Sequence, residues 1–244
     1  MGVGATCRVG GALDRRAMTS GRVPERREKE MPPDDPKGIV ARGYDMIAER
    51  YAAWSGQGVD APRERYLALL EARLPLGARV LELGCGTGAL TTARLAGRFD
   101  VTGVDISPRS IMLARRGVPG ATFVRADMTR MEFPLARFDA VAAFYALTHV
   151  PRDEHAGLLG KIARWLRPGG LLVASMGAGS AAGEIEPDWL GVPMYFSHFD
   201  AATNERLVRD TGFVVRTARV ETTDEDGMPV GFLWVVAEVP PVGA

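Results

Sequence analysis

Between residues 79 and 175, short apolar runs alternate with stretches of helical periodicity. Strand-like runs occupy 79–83, 100–104, 121–126, 138–144 and 170–175, and helical stretches fall at about 88–97, 107–117 and 152–166. This rhythm signals a parallel sheet covered by helices on both faces. Ser107 followed by Pro108 marks one helix start, a side-chain cap and then a proline at the first helical position. After the fifth strand the rhythm changes. Residues 177–200 mix apolar and polar positions, and a connection that long inside a domain is usually functional or mobile. A helix from Asp200 to Gly212 leads to two last runs, 213–220 and 230–239. Their link, ETTDEDGMP, is short and carries Asp226-Gly227 as a turn signal, so these strands should form an antiparallel hairpin.

Two helices precede the first strand. Tyr44, Ile47, Ala48 and Tyr51 share one face of a helix over 41–54, and Asp60 can cap a second helix through Leu74. Residues 1–36 are rich in Gly, Arg and Pro without apolar periodicity, and are expected to be a disordered extension. The remainder, 37–244, is expected to be one domain, with a helical cover over about 38–74 and a second cover at 177–200.

The charge balance narrows the function classes. Lys plus Arg and Asp plus Glu are 30 each in 244 residues, so no basic field for nucleic acid is expected. The apolar run 140–147 is far below the ~18 residues that span a bilayer. Cys7 and Cys85 suggest neither a disulfide framework nor a metal cluster, and the simplest setting is a reducing cytoplasm. The expected partner is a small molecule, without nucleic acid or membrane, for a monomer or homodimer.

Ligands of open parallel sheets bind at the carboxyl ends of the strands. Four ends here carry informative residues: the turn Gly84-Cys85-Gly86-Thr87-Gly88, then Asp105, then Asp127 with Met128, then Phe144-Tyr145 with His149 beyond. Glycines let a backbone approach a ligand, and a carboxylate at 105 can accept both hydroxyls of a ribose. The G-x-G-x-G spacing is not the dinucleotide fingerprint, and no P-loop Lys-Ser/Thr follows. Glu82 beside the turn would repel a pyrophosphate and could hold an ammonium group or a water. The ligand expected is a nucleoside without phosphate, carrying an amino group.

VLELGCGTG, VTGVD, RADM, FDAVAAFYALTHV and LRPGGLLVAS together resemble the successive motifs of class I S-adenosylmethionine-dependent methyltransferases, over roughly 40–238. The resemblance implies a Rossmann-like α/β fold with a seven-stranded, mostly parallel sheet of order 3-2-1-4-5-7-6, strand 7 antiparallel. It implies S-adenosyl-L-methionine as cofactor and S-adenosyl-L-homocysteine as product; without a His/Asp/Glu cluster in the sequence, no metal is expected. Gly84, Cys85 and Gly86 would lie against the methionine part and Glu82 would orient its ammonium. Asp105 would take the ribose and Asp127 the adenine amino group. Ile106 and Met128 would flank the ring, with Phe144 nearby. FYAL at the end of strand four departs from the [ND]-P-P-[YF] of many nucleic-acid N-methyltransferases, which again favours a small acceptor.

The expected activity is methyl transfer to O, N or C of a small apolar or aromatic metabolite, as in natural-product biosynthesis. Tyr44, Tyr51, Trp189, Tyr195 and His198 are the expected pocket residues, with Met194 and Phe196 on the same segment, and His149 is the candidate base. His155 is expected on a solvated helix face, and Cys85 as a small turn filler. Three alternatives stand beside this reading: a non-methylating enzyme using the bound cofactor for cyclisation or elimination, a nucleotide-dependent oxidoreductase, and a binding module without turnover.

Overall fold

The computed structural model describes residues 35–57, 60–225 and 227–241. The expected extension over 1–36 lies outside the described residues except for its last two, Asp35 and Pro36. Those two already belong to the domain, because Pro36 opens the first helix. Among the described residues no helix is long and apolar enough to cross a membrane.

Seven strands form one sheet: β1 (Arg79–Leu83), β2 (Asp100–Asp105), β3 (Thr122–Arg125), β4 (Phe138–Ala143), β5 (Leu166–Gly177), β8 (Val214–Glu225) and β9 (Met228–Glu238). Their order is β3-β2-β1-β4-β5-β9-β8, with the first five parallel and β9 antiparallel to both neighbours. This is the sheet expected from the alternation and the resemblance. The final hairpin is longer than expected, because most of the polar link continues the strands, whose last pair is Glu225 with Met228. Helices α3 (Thr91–Ala96), α4 (Pro108–Gly117), α5 (His155–Trp165) and α6 (Ala201–Asp210) connect the strands. Ser107 and Asp200 cap α4 and α6 by accepting the amide N–H of Ser110 and Thr203, at 3.0 and 2.9 Å. The two faces of the sheet bury separate cores, one around Trp165, Ile162 and Leu172, the other around Trp234, Leu70 and Val80.

Two regions differ from the sequence reading. Residues 177–200 are not an irregular cover. They form a second, two-stranded antiparallel sheet, β6 (Ala181–Trp189) and β7 (Val192–His198). Helix α1 runs over Pro36–Ser55, well beyond the expected 41–54, and packs against β7. The approach is close: a Cβ on Gly43 would stand 2.7 Å from Met194 Cε. Helix α2 (Ala61–Arg73) starts at Asp60 as expected, with Asp60 Oδ1 accepting the Arg63 N–H at 3.0 Å.

Candidate active site

The glycine turn follows β1 at the middle of the sheet. Gly84, Gly86 and Gly88 all have positive φ, of 72°, 53° and 72°. The first two need glycine for different reasons. A Cβ on Gly84 would stand 2.3 Å from Ala146 Cβ, whereas one on Gly86 would meet nothing within 4 Å. The turn is tight at Gly84 and open at Gly86. The amide N–H groups of Gly84 and Cys85 both donate to the Val104 carbonyl, at 2.8 and 3.0 Å, which fixes the turn to β2. Cys85 is buried as a filler, and burial pushes its thiol well up.

Asp105, at the end of β2, joins this turn to α4. One carboxylate oxygen accepts the Gly86 N–H at 2.8 Å and the other accepts the Ser107 N–H at 2.9 Å. Each oxygen keeps lone-pair capacity for a further donor, such as a hydroxyl. Glu82 is buried on β1 and accepts the Thr92 hydroxyl at 2.5 Å. Burial pushes its carboxyl up to about 8 despite that bond. A group in this state gains from a nearby cation, so the site suits an ammonium.

Asp127 is engaged more heavily than the sequence suggests. Its Oδ1 accepts the N–H and hydroxyl of Thr129, both at 2.9 Å. Its Oδ2 accepts Lys37 Nζ at 2.9 Å, and Lys37 also reaches Thr129 Oγ1 at 2.7 Å and Glu154 at 2.6 Å. Lys37 is 6% exposed, so this pair is buried. A second tether lies further along α1, where Asp45 Oδ1 accepts the Ser107 hydroxyl at 2.6 Å and the Arg109 N–H at 2.8 Å. Helix α1 thus crosses the ends of β2 and β3. Ile106 packs into its cluster with Val40 and Ile47, and Met128 packs on the main core.

Two cavities meet beside the turn. The small one, about 60 Å³, is lined by Glu82, Gly84, Gly86, Gly88 and Phe144 among others. The large one is about 930 Å³, near the upper end for small-molecule sites. Tyr44, Tyr51, Trp54, Trp189, Phe196 and His198 wall it between α1, the β6–β7 hairpin and the β8–β9 turn. Tyr51, Ser55 and Arg63 line both, so the two cavities are neighbours. Asp105, Ile106, Asp127 and Met128 line neither of these two.

The aromatic wall is continuous. Trp189 makes ring contacts with Tyr44, Tyr51, Trp54, His149 and Phe196 at 5.7–6.3 Å between centroids. His149 stands in this wall. Its Nδ1 faces the Tyr195 carbonyl at 2.8 Å and therefore carries the proton, which leaves Nε2 to accept the Tyr44 hydroxyl at 2.9 Å. Burial lowers its pKa to about 4, so it is neutral. His198 lines the cavity through a ring whose Nδ1 donates to the Gly179 carbonyl at 2.9 Å.

Two expectations are corrected here. Tyr195 is not part of the cavity wall: its ring is buried with Ile47, Val192 and Met194, and only its carbonyl serves the site. His155 is not solvated; it is 2% exposed and donates from Nε2 to the Val150 carbonyl at 3.0 Å. Three contributors went unread in the sequence: Lys37 and Arg63 look like ordinary surface charges, and Thr92 like a helix residue. Tyr145 adopts φ 57°, a costly conformation for an aromatic residue, and its hydroxyl donates to Asp60 at 3.0 Å.

Residues 80–170 match the family model described as a methyltransferase domain. This stretch of the chain is thus similar to a methyltransferase domain. Over 119 residues it is 40% identical to trans-aconitate 2-methyltransferase of Methylobacterium nodulans, covering 47% of this chain and 45% of that protein. Over 159 residues it is 37% identical to the ubiquinone biosynthesis O-methyltransferase of Xylella fastidiosa, covering 56% of this chain and 64% of that one. The chain spans between 31% and 66% of the length of the curated relatives it first matches. Among solved structures, the domain shares its fold with a Burkholderia thailandensis 1,6-didemethyltoxoflavin-N1-methyltransferase that holds 1,6-didemethyltoxoflavin and S-adenosylhomocysteine. That comparison has a TM-score of 0.66 at 21% identity and covers 87% of this chain and 92% of the other. The matched segment begins at Val80 and so contains the glycine turn, Asp105, Asp127 and His149.

Proposed function

We propose that the protein transfers a methyl group from S-adenosylmethionine to an O, N or C atom of a small apolar or aromatic molecule held in the 930 Å³ cavity. The observation that carries this is the shared lining: Tyr51, Ser55 and Arg63 border both the large cavity and the cleft at the glycine turn. The residues fit the amino-acid end of the cofactor. Gly86 leaves open space beside its backbone, and Glu82 is a buried carboxyl short of a cation. Asp105 would accept the ribose hydroxyls. Asp127 would take the adenine amino group as one more donor beside Lys37, and Ile106 and Met128 would flank the ring. When bound, the sulfonium supplies an electrophilic methyl group for in-line displacement.

The chain's own contribution is alignment and water exclusion. Well-oriented reactants can gain roughly 7–11 kcal/mol over free ones. The aromatic wall of Tyr44, Tyr51 and Trp189 suits a flat apolar acceptor and would exclude water around it. An acceptor that must lose a proton can hand it to His149 Nε2 only through the Tyr44 hydroxyl or by displacing it, because that hydroxyl holds the lone pair. The test is a labelled-methyl transfer screen against small phenols, amines and acids, with mass spectrometry of the products. Wild-type protein that binds S-adenosylhomocysteine yet labels no acceptor favours the binding-module or non-methylating reading. If His149→Ala keeps full turnover on a phenol found in the screen, His149 is not its base.

A further inference from the structure

The large cavity carries a charge that the chain as a whole does not. Bases and acids balance at 30 each over the sequence. The cavity is lined by Asp60, Glu186, Asp224 and Glu225, with Arg63 the sole guanidinium or ammonium among the described residues of its lining. Asp60 stands 3.4 Å from Arg63 and so balances that guanidinium. The other three carboxylates come from two separate hairpins, Glu186 from β6, and Asp224 and Glu225 from the end of β8. Asp224 also accepts the Gly227 N–H at 2.8 Å, which closes its own turn. His149 adds no positive charge, because burial keeps it neutral. A cleft lined by one sign of charge concentrates ligands of the other sign.

The aromatic walls point the same way. Tyr44 meets Tyr51 at 83° and Trp189 at 70°, and Trp54 meets Trp189 at 75°. Rings at such angles form the sides of a box rather than a stack, and the electron-rich faces of tyrosine and tryptophan attract a cation. Burial raises the Tyr44 and Tyr51 hydroxyl pKa values, and the Glu225 charge raises both further, so this carboxylate acts on the box. Glu186 and Asp224 are exposed. An exposed carboxylate alone adds little to binding, and the rings that shut water from one side of a cation supply the rest. None of these three carboxylates lines the glycine-turn cleft, so their field serves the molecule in the large cavity rather than the sulfonium.

We infer that the acceptor carries a protonated amine or quaternary ammonium as a recognition handle, held between the box of Tyr44, Tyr51, Trp54 and Trp189 and the carboxylates of Glu186 and Glu225. This names the acceptor class within the methyl-transfer reading and rests on it. A protonated or quaternary nitrogen has no lone pair, so the atom that takes the methyl group is a different one on the same molecule.

The test titrates benzyltrimethylammonium, benzyl alcohol and phenylacetate into wild-type protein, with and without saturating S-adenosylhomocysteine, read by tryptophan fluorescence. The cation should bind about tenfold tighter than the alcohol, and phenylacetate should bind weakest. Raising the salt from about 20 mM to about 500 mM should weaken the cation alone. Glu186→Gln and Glu225→Gln combined should cut cation affinity about fivefold, leave the alcohol unchanged and keep the wild-type melting temperature. Trp189→Leu should weaken both, the cation more. Equal affinities for the three probes, tightest binding of phenylacetate, binding of none, or a double variant that holds the cation as wild type does would each overturn the handle. Protein that selects the cation but binds no S-adenosylhomocysteine refutes the cofactor reading and leaves the charge selection standing. Protein that binds S-adenosylhomocysteine without any charge preference does the reverse.

Discussion

Replacing Glu82 by Gln should make the ligand-free protein more stable, and increasingly so as the pH rises. The amide keeps an oxygen to accept the Thr92 hydroxyl, so packing and that hydrogen bond survive. What changes is the proton. Burial raises the folded-state value from 4.5 to about 8, so between these limits the folded protein holds a proton that the unfolded chain has released. Stability conferred by such a group is fully present below 4.5 and is lost progressively up to about 8. Each pH unit inside that window is worth about 1.36 kcal/mol, so wild type should lose roughly 2.7 kcal/mol relative to the variant between pH 5 and pH 7. For a domain of this size that corresponds to roughly 5–10 °C in melting temperature. The assay is paired thermal unfolding of wild type and Glu82→Gln at pH 5, 6, 7 and 8, without ligand. A difference that stays constant across this range would refute the reasoning, since it would mean that Glu82 ionises freely in the fold. Saturating S-adenosylhomocysteine should shrink the gap, because an ammonium beside Glu82 stabilises its charged form.

Three other outcomes follow from the same geometry. Asp105→Ala removes the acceptor of the Gly86 and Ser107 N–H groups and should weaken S-adenosylhomocysteine binding by at least tenfold in calorimetry; unchanged affinity would remove the ribose assignment. Lys37→Met leaves Asp127 with Arg130 at 3.3 Å as its remaining cation and should cost roughly 1–3 kcal/mol in urea unfolding, whereas a loss under ~0.5 kcal/mol would show that the pair does not anchor α1. Gly84→Ala must enter contact with Ala146 at positive φ and should destabilise by about 2–4 kcal/mol, while Gly86→Ala, with open space, should cost about 1 kcal/mol yet abolish detectable nucleoside binding. Equal melting temperatures for the two glycine variants would contradict this division of roles.

The parallel half of the sheet was legible because its strands are buried on both faces and read as unbroken apolar runs between helical periods. β6 was not. All its residues from Ala182 to Asp188 are exposed, so no alternation of burial marks it, and Gly183 and Pro187 look like breakers. The outer end of β8 hid for the same reason, with Thr222, Thr223, Asp224 and Glu225 on a half-exposed edge strand that reads as a polar loop. The glycine turn and the acids at 82, 105 and 127 stood out because their positions relative to strand ends are local properties. Lys37 and Arg63 stood out only in three dimensions. Nothing in PKG or PRER distinguishes a buried cation from a solvated one; that depends on where Asp127 and Tyr145 arrive from distant parts of the chain. Tyr195 failed in the opposite sense. Strand alternation turns its side chain inward and its neighbour Phe196 toward the cavity, and the parity of β7 could not be read before the hairpin register was known.

The β6–β7 hairpin leaves the main sheet after β5 and rejoins the chain at α6 without pairing to any of its seven strands. Its length and sequence can therefore change without shifting a single register in that sheet. The same holds for the β8–β9 turn and for the cavity-facing residues of α1. Together these segments supply most of the large cavity, while the glycine turn belongs to the central strands. A lineage could exchange the molecule it modifies by rewriting peripheral segments and inherit the donor machinery intact. Insertions and deletions between related chains should therefore cluster at 178–200 and at 222–231, and stay out of 79–105.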